Sequence, residues 1–142
     1  IEVIRKKYNI SPEYVEIEIT EGLMSNTEVI ADLIKRLHSF GYKVSMDDFG
    51  SGYSNLASLS SLDFDTIKLD KGFCSDSYNP KENIIISNVI KMAYELNINI
   101  LCEGVETKSQ AQNLYDLGCN QAQGWLYDKA LAENDFVKKY LN

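Results

Sequence analysis

Two adjacent carboxylates, Asp47 and Asp48, follow a short alternating segment and are the residues in this sequence best suited to chemistry. Apolar and polar side chains alternate over residues 43–47, which predicts a β-strand. Neighbouring carboxylates repel each other when both are ionised, and a divalent cation is the usual compensation. Gly50 and Gly52 come next, and glycine permits backbone conformations that suit a loop closing over a ligand. The pattern predicts a metal site at a strand end beside a glycine-hinged loop.

Four further segments are predicted strands, and each of the five carries a polar residue near its carboxyl end. The other four strands are Val15–Ile19, Phe64–Leu69, Ile98–Glu103 and Gln121–Tyr127. The polar residues near the five strand ends are Glu18, Asp47, Lys68, Glu103 and Gln123. In Phe64–Leu69 we expect Thr66 and Lys68 on one face and the apolar side chains on the other.

Helical patterns separate these strands, and capping residues mark several helix starts. The predicted helices are Ile1–Tyr8, one from the Ser25-x-x-Glu28 capping box to a stop at Gly41, Ser54–Ser61, one opened by Asn79-Pro80, one opened by the Thr107-x-x-Gln110 capping box, and Asn134–Leu141. The alternation predicts a parallel α/β sheet with right-handed crossovers. Five such strands fit an open doubly wound sheet or most of a (β/α)8 barrel. Polar groups converging from successive strand ends favour the barrel.

Composition narrows the class of protein and its partners. A chain of 142 residues that is 44% hydrophobic can form one domain with a buried core. A net charge of −7 argues against binding to a DNA or RNA duplex or to an anionic membrane surface. No apolar run is long enough to span a membrane. An acidic protein that handles an anionic substrate would need a metal as mediator.

Cysteine and histidine usage adds little chemistry. Cys74, Cys102 and Cys119 are odd in number and lack the spacing of paired metal ligands, so we expect reduced, buried thiols and a cytoplasmic location. His38 stands near the end of an amphipathic helix, where we expect it at the surface. The residues that matter for function are therefore the carboxylates and Lys68.

Glu18, Asp47, Asp48 and Glu103 offer the hard oxygen ligands that Mg²⁺ or Mn²⁺ prefers. Two such ions can clamp the attacking and leaving oxygens of a phosphoryl transfer, which favours phosphodiester hydrolysis. Lys68 could hold a phosphate oxygen or the water that attacks it. The alternatives are that the carboxylates only cap the turns after their strands and that Lys68 forms an ordinary salt bridge.

Several short motifs, in order along the chain, resemble those of the EAL domain, the cyclic di-GMP phosphodiesterase domain of bacteria. The resemblance covers the whole chain and implies a TIM-like barrel that hydrolyses cyclic di-GMP to the linear dinucleotide with two Mg²⁺ or Mn²⁺ ions. The motifs are EITE at 18–21, DDFGSGYSNL at 47–56, IKLD at 67–70, EGVET at 103–107 and QGWLY at 123–127.

The resemblance also implies a role for each matching residue. Glu18 and Asp47 would be metal ligands, with Asp47 bridging the two ions and Asp48 on the second ion. Lys68 would contact the hydrolytic water and the phosphate, and Glu103 would be a metal ligand or a general base. Further active-site positions match Glu106 and Gln123.

The loop after Asp48 resembles the segment through which the family couples dimerisation to metal binding, which implies a homodimer. Glu21 matches the glutamate that anchors this loop. The loop itself comprises Phe49, Gly50, Ser51, Gly52, Tyr53 and Ser54.

Two family features are absent from the sequence: the Glu-Ala-Leu strand with its nearby arginine, and a later strand with an asparagine ligand. Both would precede residue 1, so we expect residues 1–142 to be the C-terminal part of one EAL domain, inactive without the rest, in a parent that other domains could anchor to a membrane. Lys129-Ala130 replaces the family's Lys-Pro. The alternative function is a degenerate EAL module that senses cyclic di-GMP or contacts a protein partner without turnover.

Overall fold

Four parallel strands in chain order make up the sheet of the computed structural model. The structure describes residues 1–23, 26–51, 56–74 and 79–141, without the side chains of Glu21, Ala57 and Ser58. The sheet order is β1-β2-β3-β4, and every neighbouring pair is parallel. The strands are β1 (Glu16–Thr20), β2 (Lys43–Phe49), β3 (Thr66–Leu69) and β4 (Asn99–Cys102).

Helices connect successive strands, as the alternating pattern predicted. They are α1 (Glu2–Lys7), α2 (Thr27–Ser39), α3 (Leu56–Ser61), α4 (Pro80–Glu95), α5 (Lys108–Asp116) and α6 (Glu133–Tyr140). Short 3₁₀ turns occupy Pro12–Tyr14, Glu21–Leu23 and Lys71–Phe73. In the described part of the chain, no helix combines the length and the apolar character needed to cross a bilayer.

Local capping chemistry sets the helix starts. At α5 the Thr107 hydroxyl accepts the Gln110 N–H at 3.2 Å and the Gln110 side chain accepts the Thr107 N–H at 3.0 Å, which confirms the capping box. The expected cap of α2, Ser25, lies outside the described residues. Asn26 caps this helix instead, because its side-chain oxygen accepts the Val29 N–H at 3.3 Å.

The inner strand β3 is buried on both faces, so the polar face predicted for Phe64–Leu69 is shielded from water as well as the apolar face. All four residues of β3 are buried, including Thr66 and Lys68. In β2 the Ser45 side chain is as fully buried as its apolar neighbour Val44. Helices cover one face of a parallel sheet, and in β2 and β3 the polar side chains Ser45, Thr66 and Lys68 are also shielded from water.

At the end of the sheet where β3 begins, the Asp65 carboxylate joins three elements. It lies 2.8 Å from Nε2 of His38 on α2, accepts the Lys43 ammonium at 2.6 Å and accepts the Val44 N–H at 2.9 Å. His38 is therefore a side-chain partner of Asp65 and has a third of its own side chain exposed. Burial raises the pKa of Asp65, but these three contacts outweigh it and the net pKa is lowered.

The fifth predicted strand, Gln121–Tyr127, is reduced to a single bridge between Cys102 and Ala122. The Gln123 N–H still donates to the Cys102 carbonyl at 2.9 Å. At Gly124 the backbone then approaches Val105 so closely that a Cβ atom would overlap it, and a turn closed by Tyr127 N–H and Gly124 C=O follows. The turn ends the regular ladder, and within it the Leu126 N–H still donates to the Val105 carbonyl at 2.9 Å.

The three cysteines are free and buried, and none forms a disulfide. The Sγ atoms of Cys102 and Cys119 lie 3.4 Å apart, and the Cys74 thiol donates to the Glu103 carbonyl at 2.9 Å. They pack in the core beneath the carboxyl ends of β3 and β4.

Candidate active site at the carboxyl ends of the strands

Lys68, near the end of β3, binds three carboxylates that come from three other strand ends. Its ammonium lies 2.6 Å from Glu18 Oε1 and 3.0 Å from Asp47 Oδ1. The third partner is Glu103, whose Oε1 is 2.7 Å away. Because all strands are parallel, their carboxyl ends meet at one edge, and the polar residues predicted there do converge.

The surroundings of Lys68 keep it charged. Its side chain is only 8% exposed, and this burial by itself lowers the pKa of the ammonium. The hydrogen bonds to Glu103, Glu18 and Asp47 outweigh the burial, so the net pKa of Lys68 is raised. Lys68 therefore stays protonated and acts as a fixed positive charge. In this state it cannot accept a proton.

A bulge in β2 directs both adjacent carboxylates into the site. Met46 pairs with Ile67 and Phe49 pairs with Leu69, so Asp47 and Asp48 together lie opposite the single residue Lys68. Asp48 adopts a left-handed backbone conformation with φ of 57°, which aspartate tolerates better than most residues. In a regular strand the two side chains would point to opposite faces.

One carboxylate oxygen from each of Asp47, Asp48 and Glu103 lies within 4.8 Å of the other two. Such a set of hard oxygen donors fits Mg²⁺ or Mn²⁺. Glu18, the fourth predicted ligand, does not belong to this group. Its side chain is half exposed and its observed partner is the Lys68 ammonium. The structure thus brings three predicted ligands together directly and the fourth through Lys68.

The remaining predicted residues line a cavity of about 710 Å³ at the same edge. The Gln123 side chain donates to Glu103 Oε1 at 2.9 Å, so it orients one of the three clustered carboxylates. Glu106, three residues after Glu103, also lines the cavity. A volume of this size is typical of a site for a small organic ligand.

Sequence reasoning missed three residues of the cavity wall, namely Lys71, Trp125 and Lys129. Lys129 places its ammonium 4.7 Å from the centre of the Trp125 ring, which is a cation–π contact. Lys71 directly follows the recognised motif IKLD, Trp125 lies inside QGWLY and Lys129 stands two residues after it, and this position was the available signal. Together they add two positive charges and an exposed aromatic face to an otherwise acidic site.

The predicted regulatory loop is described only in part. Phe49 is buried, Gly50 has φ of 90°, and the Ser51 N–H donates to the Asp48 carbonyl at 3.1 Å. Gly52, Tyr53 and Ser54 lie outside the described residues, and so does the Glu21 side chain. The anchoring role expected for Glu21 stays a prediction.

Comparison with known proteins agrees with these motifs. A family model described as the EAL domain matches residues 1–130. The chain belongs to the EAL domain family. EAL domains have a TIM-barrel fold, which confirms the predicted fold class.

Curated relatives share this region. The chain is 37% identical over 131 residues to the probable cyclic di-GMP phosphodiesterase PdeB of Escherichia coli, covering 92% of the chain and 25% of that protein. It is 37% identical over 139 residues to the cyclic di-GMP phosphodiesterase RocR of Pseudomonas aeruginosa, covering 96% of the chain and 36% of that protein. The chain thus spans between a quarter and about a third of these two relatives.

Solved structures are similar as well. The EAL domain of Mycobacterium smegmatis DcpA superposes with a TM-score of 0.88 at 35% identity, covering 96% of this chain and 62% of that one. BlrP1 of Klebsiella pneumoniae, solved as a complex with manganese and cyclic di-GMP, superposes with a TM-score of 0.80 at 31% identity, covering 85% of this chain and 31% of that one.

Proposed function

We propose that the protein carrying this chain hydrolyses cyclic di-GMP to the linear dinucleotide with two divalent ions, Mg²⁺ or Mn²⁺. The observation that carries the proposal is the cluster of Asp47, Asp48 and Glu103 beside a cavity large enough for a small organic ligand. Residues 1–142 would form the C-terminal part of its EAL domain. The protein would act in the cytoplasm as a homodimer.

Asp47, Asp48, Glu103 and Glu18 would hold the ions. When bound, the ions supply an activated water and neutralise charge on the phosphate. The acidic chain needs this help, because its net charge of −7 opposes an anionic dinucleotide.

The protein's own residues would orient the metal ligands and stabilise the charge that develops on the substrate. Lys68, held as a permanent cation by three carboxylates, would stabilise negative charge that develops on the phosphoryl oxygens. Gln123 would fix the rotamer of Glu103 through its hydrogen bond to Oε1. Glu106 lies close enough along the cavity wall to contact the substrate or its waters.

The relatives support the choice of substrate and metal. RocR and PdeB are named as a cyclic di-GMP phosphodiesterase and a probable one, and BlrP1 was solved with manganese and also with calcium, each time with cyclic di-GMP. These proteins are between 31% and 37% identical to this chain over the matched residues.

A turnover assay tests the proposal. Full-length protein is incubated with cyclic di-GMP and Mn²⁺, and the linear dinucleotide is measured by chromatography, with EDTA as the control. We expect Mn²⁺-dependent formation of the linear product. Binding of cyclic di-GMP without any product would contradict the proposed hydrolysis and favour a module that senses cyclic di-GMP without turnover.

A further inference from the structure

The Lys71–Phe73 turn lies between the two loops that follow the acidic strand ends. On one side the Phe73 ring packs so closely on Gly50 that a Cβ atom there would overlap ring atoms Cε2 and Cζ. On the other side a Cβ atom on Gly104 would lie 2.5 Å from Cβ of Lys71. The turn therefore touches the second residue after Asp48 and the first residue after Glu103.

Hydrogen bonds fix the turn in this position. The Asp70 carboxylate accepts the Gly72 N–H at 2.8 Å, and the Cys74 thiol just after the turn donates to the Glu103 carbonyl at 2.9 Å. The buried Gln110 side chain donates to the Cys74 carbonyl at 2.7 Å. A ring mounted on a segment tied at both ends is a firm support for whatever packs against it.

The residue that needs support is Asp48. Its left-handed conformation costs about 1–2 kcal/mol relative to an ordinary strand conformation, and such a state persists only when its surroundings hold it. The Asp48 carbonyl accepts the Ser51 N–H at 3.1 Å, and this hydrogen bond closes a turn that contains Gly50. The Phe73 ring rests on that same Gly50, so a shift of the loop toward a regular strand would run into the ring.

We infer that Phe73 is a positioning residue for the metal site: its ring holds the β2 bulge and thereby keeps the Asp48 carboxylate beside Asp47 and Glu103. The inference rests on the proposed function, because it assumes that these carboxylates bind Mn²⁺. Phe73 contacts neither substrate nor metal in this role and acts through Gly50.

The test measures Mn²⁺ binding to the full-length protein without substrate, from the electron paramagnetic resonance signal of free Mn²⁺. Phe73→Ala should weaken Mn²⁺ binding about 10-fold or more, the range typical for residues that orient metal ligands. Phe73→Tyr keeps the ring and should bind Mn²⁺ like the wild type. Ile85→Ala is the matched control. Phe73 and Gly50 line a small cavity of about 200 Å³, and Ile85 on α4 lines the same cavity from the other side.

A second measurement needs no metal. In EDTA, hydrogen exchange of the Ser51 amide should be faster in Phe73→Ala than in the wild type, because the Asp48–Ser51 turn loses its support. Exchange in Ile85→Ala should stay at the wild-type rate. If Phe73→Ala fails to fold, Phe73→Leu takes its place in both measurements, with the same direction expected.

The outcomes separate the two ideas. A wild-type protein that binds no Mn²⁺ would overturn the proposed metal site. A wild type that binds Mn²⁺ and a Phe73→Ala variant that binds it equally well would overturn the positioning role alone. Equal losses in Phe73→Ala and Ile85→Ala would also overturn it, since general loosening of the cavity would then explain the effect.

Discussion

Asp47, like Glu103, both contacts the Lys68 ammonium and belongs to the cluster of carboxylates. It lies 3.0 Å from the Lys68 ammonium and shares the three-carboxylate cluster with Asp48 and Glu103. Glu106 lines the cavity outside that cluster. This difference predicts that loss of the Asp47 charge harms catalysis more than loss of the Glu106 charge.

Asp47→Asn in the full-length protein should lower kcat about 100-fold or more, because one ligand charge is lost at the proposed bridging position. Glu106→Gln should lower it about 10-fold or less. Steady-state kinetics with Mn²⁺ measures both. Equal losses, or full activity of Asp47→Asn, would contradict the roles assigned.

Lys68 predicts a stability effect that depends on metal. Lys68→Met leaves three carboxylates without their shared cation, which should cost about 1–3 kcal/mol in EDTA. The cost stays below that of a fully buried pair because Glu18 is half exposed. Added Mn²⁺ should recover part of the loss by binding the same carboxylates. Urea unfolding with EDTA and with Mn²⁺ measures the effect, and a variant as stable as the wild type in EDTA would count against it.

Among the elements, the segment that follows β4 depends on one close backbone approach. Gly124→Ala would drive a methyl group into the backbone of Val105, so we expect a loss of about 2–3 kcal/mol in unfolding free energy. Gly22→Ala is the matched control, because nothing lies within 4 Å of a Cβ atom there. Denaturant unfolding of both variants gives the comparison, and equal stability of the two would show that the approach is not tight.

Asp65 ties α2, β2 and β3 together and predicts a pH dependence. Its pKa is lowered in the folded protein, so its stabilisation is present above the unfolded value of about 3.9 and is lost as pH falls through the folded pKa. Asp65→Asn should therefore cost about 1–2 kcal/mol near neutral pH, and the gap to wild type should shrink below about pH 4.

Urea unfolding from pH 3 to pH 7 checks this prediction. Asp63→Asn removes the same charge from an exposed side chain two residues earlier and serves as the control. A gap that stayed constant over the whole pH range would show that the Asp65 charge is not the cause.

At the scale of the whole molecule, apolar side chains remain exposed on α1, and β1 is an edge strand of the described sheet. Val3 and Ile4 on α1 are 82% and 62% exposed, and on the described residues β1 has a strand neighbour on one side only. We expect the 142-residue chain to self-associate in sedimentation experiments. Under the proposal that residues 1–142 are the C-terminal part of an EAL domain, we also expect no measurable hydrolysis, because substrate positioning would be incomplete.

Two variants distinguish the two surfaces through which the 142-residue chain could associate. Ile4→Lys should dissolve an association through the exposed apolar side chains of α1. Leu56→Lys, at an exposed position on α3, should dissolve an association through the helix that follows the Asp48 loop. A monomeric 142-residue chain that still cleaved cyclic di-GMP would overturn this account of the site.

The sequence alone determined what depends on local chemistry. Strand and helix alternation, the Thr107 capping box and the Asn79-Pro80 start are set by neighbouring residues, and the structure contains all of them. The convergence of Lys68 with Glu18, Asp47 and Glu103 followed from topology as well, because parallel strands bring their carboxyl ends to one edge. Family membership was readable because each motif is a short run of neighbouring residues.

Only the tertiary structure decided how two adjacent aspartates share one site and where pairing stops. The bulge opposite Lys68 depends on the register between β2 and β3, and register joins residues that are distant in sequence. The end of the fifth segment depends on how closely Gly124 approaches Val105, and the Phe73 contact depends on the room that Gly50 leaves. A local pattern cannot specify these features, because each requires two backbones to be placed relative to each other.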